Sequence, residues 1–217
     1  MRNLLMKEFK LATPVLTYLF IGFAFMTFIP GYPILCGAFF VCMGIFQAYQ
    51  INRESNDILF SVLLPVSKID VVKCKYLSVV VLQMAAFLLC VICTLVRMTK
   101  LSNALVYETN VLMPANFVYL AFVLLIFACF NVVFLGGFFK TAYDIGKPFI
   151  FFIIVNFIII AVAEALHYMP GLSWMNALDF SFLEKQVTSL IVAIFIYVAT
   201  TIISCRKSCL RFQKIDL

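Results

Sequence analysis

Six apolar stretches dominate the chain, at about Leu11–Ile29, Pro33–Tyr49, Tyr76–Leu95, Ala115–Phe139, Pro148–His167 and Thr188–Ser204. Each approaches the roughly 20 residues that a helix needs to cross a bilayer. Lipid cannot satisfy backbone polar groups, and these runs do not alternate as barrel strands do, so helices are expected. Six helices would take about 120 residues, leaving short connections in a chain of 217 and no space for a large soluble domain. The chain is 65% hydrophobic and 12% charged, against roughly 45–50% and 25% in soluble domains. The expected architecture is an all-α integral membrane protein, one transmembrane domain over residues 1–217. The first run superficially resembles a secretory signal. It is too long for a signal core, and Pro30-Gly31-Tyr32-Pro33 is no small-x-small cleavage site, so it reads as a retained first span.

Orientation follows from the cations. Arg2, Lys7 and Lys10 precede the first span; Arg53, Lys68, Lys73 and Lys75 lie between the second and third. Lys140 and Lys147 lie between the fourth and fifth, and Arg206, Lys207, Arg211 and Lys214 follow the sixth. These are thirteen of the sixteen Lys and Arg, and all share one side of a six-span chain; Arg97, Lys100 and Lys185 fall on the other. The positive-inside rule therefore expects both termini in the cytoplasm. The net charge of +6 reflects that orientation rather than nucleic-acid binding. Cys36, Cys42, Cys90, Cys93 and Cys129 fall in spans, and Cys74, Cys205 and Cys209 at the cytoplasmic face. None lies in an outer connection, so structural disulfides are not expected. Cys90 and Cys93 have metal-like spacing but no second ligand pair and sit in lipid, which reads as small buried hydrophobes rather than a metal site.

The connection from Gln50 to Lys75 carries the most information. Ser55 or Asn56 is placed to cap a short helix, with Asp57 in its first turn and Pro65 after Leu64 to end it. The helix is apolar, two turns long and cytoplasmic, so it needs something to bury against. Ser67 and Asp70 then cap a new helix leading into the third span. Taken alone, the short helix suits equally an interfacial helix among headgroups and a helix that docks on a protein.

The run from Glu54 to Tyr76, with Asp57, Leu64-Pro65-Val66, Asp70-Val71-Val72 and Lys73-Cys74-Lys75-Tyr76, resembles the cytoplasmic segment of small ABC-2 type permeases, the membrane subunits of bacterial ATP-binding-cassette exporters. The resemblance extends in layout to the basic head, the six spans and a hydrophobic outer hairpin over residues 168–187. Lys75 stands where many relatives carry arginine. The resemblance implies that residues 55–65 form a coupling helix seated in a groove of the ATPase subunit, with Glu54, Ser55, Asn56, Asp57, Phe60, Leu63 and Leu64 as contacts. Tyr143 and Asp144, in the connection before Pro148, would make a second contact; a plain turn explains them equally well. Residues 1–10 would form an amphipathic helix on the inner surface, with Leu4, Leu5, Met6 and Phe9 toward lipid. In the outer hairpin, Tyr168 and Trp174 suit the membrane interface, and the resemblance implies an outer gate there.

Within the spans, Gln83, Asn131, Asn156 and Glu164 are the conspicuous polar residues. Amides in spans mainly join helices, with path lining as the alternative for Asn131 and Asn156. Glu164 is the one acid within a span, three residues from His167, the chain's single histidine. The two share a helix face: either a proton relay or a snorkelling acid near the outer end fits. Gly136-Gly137 allows close helix approach or a kink.

The chain has no Gly-x4-Gly-Lys-Ser/Thr loop: Gly146-Lys147 is followed by Pro148. Together with the absence of His-Glu-x-x-His and Gly-x-Ser-x-Gly motifs, this leaves no expected catalytic, cofactor-binding or metal-ligating residues. ATP and Mg²⁺ would belong to a P-loop partner subunit. The expected assembly is a homodimer of permeases in the bacterial plasma membrane, each copy docked to one ATPase. Small size and no outer domain resemble exporters of amphipathic peptides such as phenol-soluble modulins, which implies hydrophobic or amphipathic peptide cargo. The alternatives are an ion-gradient-driven secondary transporter coupled through Glu164 and His167, and a non-transporting membrane scaffold.

Overall fold

The computed structural model describes every residue except Met1, Ser102, Asn103, Thr109, Asp179, Asp216 and Leu217. Asp179 of the expected outer hairpin and the last two residues of the expected tail thus lie outside the described residues. Every regular element among the described residues is helical. Four helices are long and apolar enough to cross a membrane, and a fifth crossing results if a sharply bent pair near the N-terminus counts as one. The chain is a multi-pass membrane protein.

The bent pair is where the structure departs most from the expected first span. Helix α1 (Arg2–Lys7) continues as a wide π-helical turn through Glu8–Ala12 and stops. Helix α2 (Val15–Ile21), prolonged as a 3₁₀ helix through Gly22–Phe28, leaves at 89°. Pro14 is the cause. It bars the preceding residue from helical geometry, and Thr13 is accordingly extended. Leu11, expected inside the span, lies in the last turn of the first limb and is exposed. Leu4 also departs from expectation: it turns from lipid onto Val71 and Cys74 of the third-span helix.

Helix α3 (Cys36–Glu54) answers to the expected second span, but its last two turns carry Gln47, Gln50, Asn52, Arg53 and Glu54, and it is not among the helices apolar enough to cross. Helix α2 lies directly on it. Thr17 Oγ1 donates to the Gly44 carbonyl at 2.9 Å, and a side chain at Gly44 would collide with Phe20. Helix α4 (Asp57–Leu63) is the short helix expected between the second and third spans, and α5 (Lys68–Lys100) is the expected third span with long overhangs. The Ser67 hydroxyl accepts from the Asp70 amide at 3.1 Å and donates to its carboxylate at 2.8 Å, closing the expected cap. A single turn, α6 (Leu105–Glu108), precedes the fourth span.

That span is the hub. Helix α7 (Phe117–Cys129) passes into a π-helical stretch, Phe130–Leu135, and ends in α8 (Gly136–Phe138). In its most apolar stretch 72% of residues are buried, against 28% in α9 (Gly146–His167) and 17% in α10 (Leu183–Gln213). A helix that is apolar all round and covered all round belongs at the centre; α9 and α10 leave broad faces open. Phenylalanines knit the hub: Phe46 stacks on Phe149 at 3.6 Å between ring centres, and Phe134 meets Phe46, Tyr49 and Phe149 edge-on. At Gly137 a Cβ would sit 2.8 Å from Cβ of Pro148, so the glycine admits the start of α9.

Candidate functional site

The end of the bundle that carries α4 is built around four charges. Lys75, nearly sealed from solvent, donates to Glu8 at 3.1 Å and to Asp57 at 2.8 Å. Lys7 pairs with Asp57 as well, lies 3.3 Å from Glu8, and donates to Ser61 at 2.8 Å. Ser61 in turn donates to the Asp57 carbonyl at 2.7 Å. Two acids and two bases from α1, its π turn, α4 and α5 thus neutralise one another. Burial pushes the Asp57 carboxyl up, but Lys75 and Lys7 outweigh that, and its pKa is held below the ordinary carboxylate value.

This arrangement corrects the expected contact set. Asp57 faces inward and is buried, so it fastens α4 rather than standing on its open face. The expected cap is also absent. Asn56 takes a left-handed conformation with φ of 52° and no capping hydrogen bond, which asparagine tolerates, and Ser55 Oγ donates back to the Asn52 carbonyl at 3.2 Å. The other face of α4 is open. Leu59, Phe60 and Leu63 point outward, Leu63 with 77% of its surface exposed, and Glu54, Ser55 and Asn56 are exposed beside them, with Leu64 half-buried. Behind α4 lies a cavity of about 190 Å³, lined among others by Tyr49, Ile58, Leu59, Lys75 and Tyr143. Both the ion pairs of Asp57 and the packing of Ile58 and Val62 against the core hold the helix down.

Tyr143 is exposed beside this edge, and the guanidinium of Arg53 lies 5.5 Å from its ring centre. Asp144 turns elsewhere. Its Oδ1 accepts from the Lys147 amide at 3.4 Å as α9 starts, and its own amide donates to Thr141 Oγ1 at 2.9 Å. The connection thus presents Tyr143 toward α3 and α4 and uses Asp144 within the turn.

Inside the bundle, Asn131 is fully engaged. Its amide exchanges paired hydrogen bonds with Gln83, 3.0 Å each way, and also donates to Thr201 at 3.0 Å. Tyr197 donates to the Gln83 oxygen at 2.9 Å. Asn131 sits in the π-helical stretch, and its carbonyl takes the hydroxyl of Ser204 at 2.7 Å. Ser204 lies 2.9 Å from Tyr76 Oη, as does Ser208. The network ties α5 and α10 to the hub, and Asn131 serves in it as a joint between helices. Asn156 is equally buried, yet neither amide atom has a partner within the protomer.

Residues 3–213 match the family described as ABC-2 family transporter protein. The chain belongs to that family. No curated protein and no solved structure matches it. It is accordingly the membrane permease of an ABC transporter, and permeases of this family work with an ATP-binding subunit.

At the opposite end, no hydrogen bond or ion pair joins Glu164 to His167 of the permease. Glu164 Oε2 accepts from the Met113 amide at 3.0 Å, while His167 meets the Tyr168 ring edge-on. Tyr168 donates to the Val111 carbonyl at 2.7 Å, and the Trp174 carbonyl accepts from Gln186 at 3.0 Å. Sequence reasoning passed over several residues that organise both ends. Asn116 caps α7 through the Val118 and Tyr119 amides and donates to the Met175 carbonyl at 2.6 Å, fixing the segment between α9 and α10. Arg97 is buried, donating to the Thr27 carbonyl at 2.7 Å beneath the Tyr107 ring. Glu8 had one available signal: it is the sole acid in a basic amphipathic segment, where a surface role would favour none.

Proposed function

We propose that the permease is the membrane half of an ATP-driven exporter and that α4 is its coupling helix. The observation that supports this is the two-sidedness of α4. One side is pinned to α1 and α5 through Asp57 and Ser61, while Phe60 and Leu63 are exposed on the other. Burial of a leucine or phenylalanine is worth roughly 1.5–3 kcal/mol, so this face suits an apolar groove, and Tyr143 with Glu54, Ser55 and Asn56 would form a polar rim around it. Asp57 then acts as a positioning residue: movement of a docked α4 passes through its ion pairs to α1 and to the base of α5.

On this reading the chain hydrolyses no ATP itself; ATP and Mg²⁺ are held by the docked subunit. Both termini face the cytoplasm of a bacterial cell, and a second copy covers part of the open faces of α9 and α10, completing a path between protomers. ATP binding shifts the pair between two states only in so far as it favours one of them. Hydrophobic or amphipathic peptides are the proposed cargo, in keeping with the apolar open faces.

The test is affinity purification from native membranes in mild detergent, scored for a co-purifying P-loop subunit. We expect that subunit with the wild-type permease and its loss with Phe60→Asp or Leu63→Asp, at unchanged thermal stability. Retention of the subunit in both variants would overturn the docking role of α4. Peptide-stimulated ATPase activity of the purified complex tests the cargo separately.

A further inference from the structure

A second concentration of charge lies at the α4 end of the bundle, on another flank. A cleft of about 480 Å³ opens between the π-helical stretch with α8, the start of α9 and the last turn of α10. Lys140, Lys147 and Arg211 rim it, with Asp144 as the one acid. Asp144 already serves the turn at the Lys147 amide. Arg211 spends one donor on the Gly136 carbonyl, at 3.0 Å, and a guanidinium has five. The cleft is therefore net positive, and its cations are open, unlike the sealed four-charge group beside α4.

The floor and outer wall are apolar. Val132 and Phe151 are exposed, Phe151 over 63% of its surface. Cations at the ends of the helices above an apolar wall match one class of ligand: a phosphodiester anion carrying acyl chains. Basic clefts between spans are suited to anionic headgroups, and the volume lies within the usual range for ligand sites. We propose that this cleft binds an anionic phospholipid, its phosphate between Lys140, Lys147 and Arg211 and a chain along Val132 and Phe151. A zwitterionic headgroup would bring a cation into a site already positive. A free phosphate would leave the apolar wall unused.

The glycine pair explains why the cleft has this form. Gly137 lets Pro148 approach, and the Gly136 carbonyl, at the end of the π-helical stretch, orients Arg211 across the gap. The proposal is independent of α4 and of any ATPase.

The experiment is native mass spectrometry of the full-length permease in a neutral maltoside detergent. Phosphatidylglycerol, phosphatidylethanolamine and phosphatidylcholine of identical chains are added in turn. Wild type is expected to retain phosphatidylglycerol at least tenfold over the other two. Lys140→Gln with Lys147→Gln should weaken that retention about 25-fold, at roughly fivefold per charge near the headgroups. Both side chains are exposed, so folding is not at stake, and an unchanged melting temperature confirms it. Arg2→Gln with Lys10→Gln, on the N-terminal limb, should leave retention intact. Equal retention of the three lipids, unchanged retention in the cleft variant, equal loss in the N-terminal variant, or complete displacement by millimolar glycerol 3-phosphate would each overturn the proposal.

Discussion

Two groups of charges share one end of this molecule and behave as opposites. Lys7, Glu8, Asp57 and Lys75 close on one another until almost nothing is left for solvent. Lys140, Lys147 and Arg211 face a cleft with a single, partly engaged acid. A balanced and buried set can only hold elements together, since every donor and acceptor is spoken for. An unbalanced and open set has capacity left for a ligand. Residue type alone does not separate the two cases; burial and charge balance do.

The sharpest way to break the comparison is Lys75→Met. Removing one member of a buried ionic group strands its partners, at about 3–5 kcal/mol, and thermal unfolding in detergent should show a loss of that order. Adding Asp57→Leu leaves Lys7 with Glu8 as a balanced pair, so the double variant should recover most of the loss. If it does not, the group is not a closed set.

Acid should act in the same direction more gently. Because the pKa of Asp57 is lowered in the folded state, its contribution is whole above the ordinary carboxylate value near 3.9. It shrinks as pH falls from there through the native value. Unfolding midpoints measured between pH 3 and pH 6 should fall at the acid end by more in wild type than in Asp57→Asn.

The third comparison concerns the two buried asparagines. Asn131→Leu orphans Gln83 and should cost about 1–3 kcal/mol. Asn156→Leu removes a side chain with no partner in the protomer and should be neutral or stabilising in the isolated protomer. The smallest effect belongs to the open cleft: Lys140→Gln with Lys147→Gln should change stability by no more than about 0.5 kcal/mol. A large destabilisation there would erase the distinction between the two charge groups.

Much of the architecture was legible in the sequence because bilayer length and charge-free runs leave few options. The helices of the third to sixth expected spans, the short α4 before Pro65 and the Ser67–Asp70 cap all appear near where the pattern puts them. The first span was misread because hydropathy is blind to backbone geometry: apolar residues continue through Thr13-Pro14, while the chain turns by 89°. The burial of Asp57 escaped the sequence for a related reason. A carboxylate at the start of an exposed helix looks available, and only the fold brings Lys75 and Lys7 to it from 18 and 50 positions away. Asn131 resisted reading because a spanning amide serves helix packing or a path equally well until its partners are seen.

The closed charge group also sets an order of events during synthesis. Glu8 and Lys75 are 67 positions apart, so at about 5–20 residues per second the ribosome adds the second roughly 3–13 s after the first. For most of that interval the N-terminal limb, already bent at Pro14, has no partner from α4 or α5; Asp57 comes first and Lys75, 18 positions later, completes the group. The group closes only when α5 arrives, and docking of that helix fastens the head of the chain and α4 in one step.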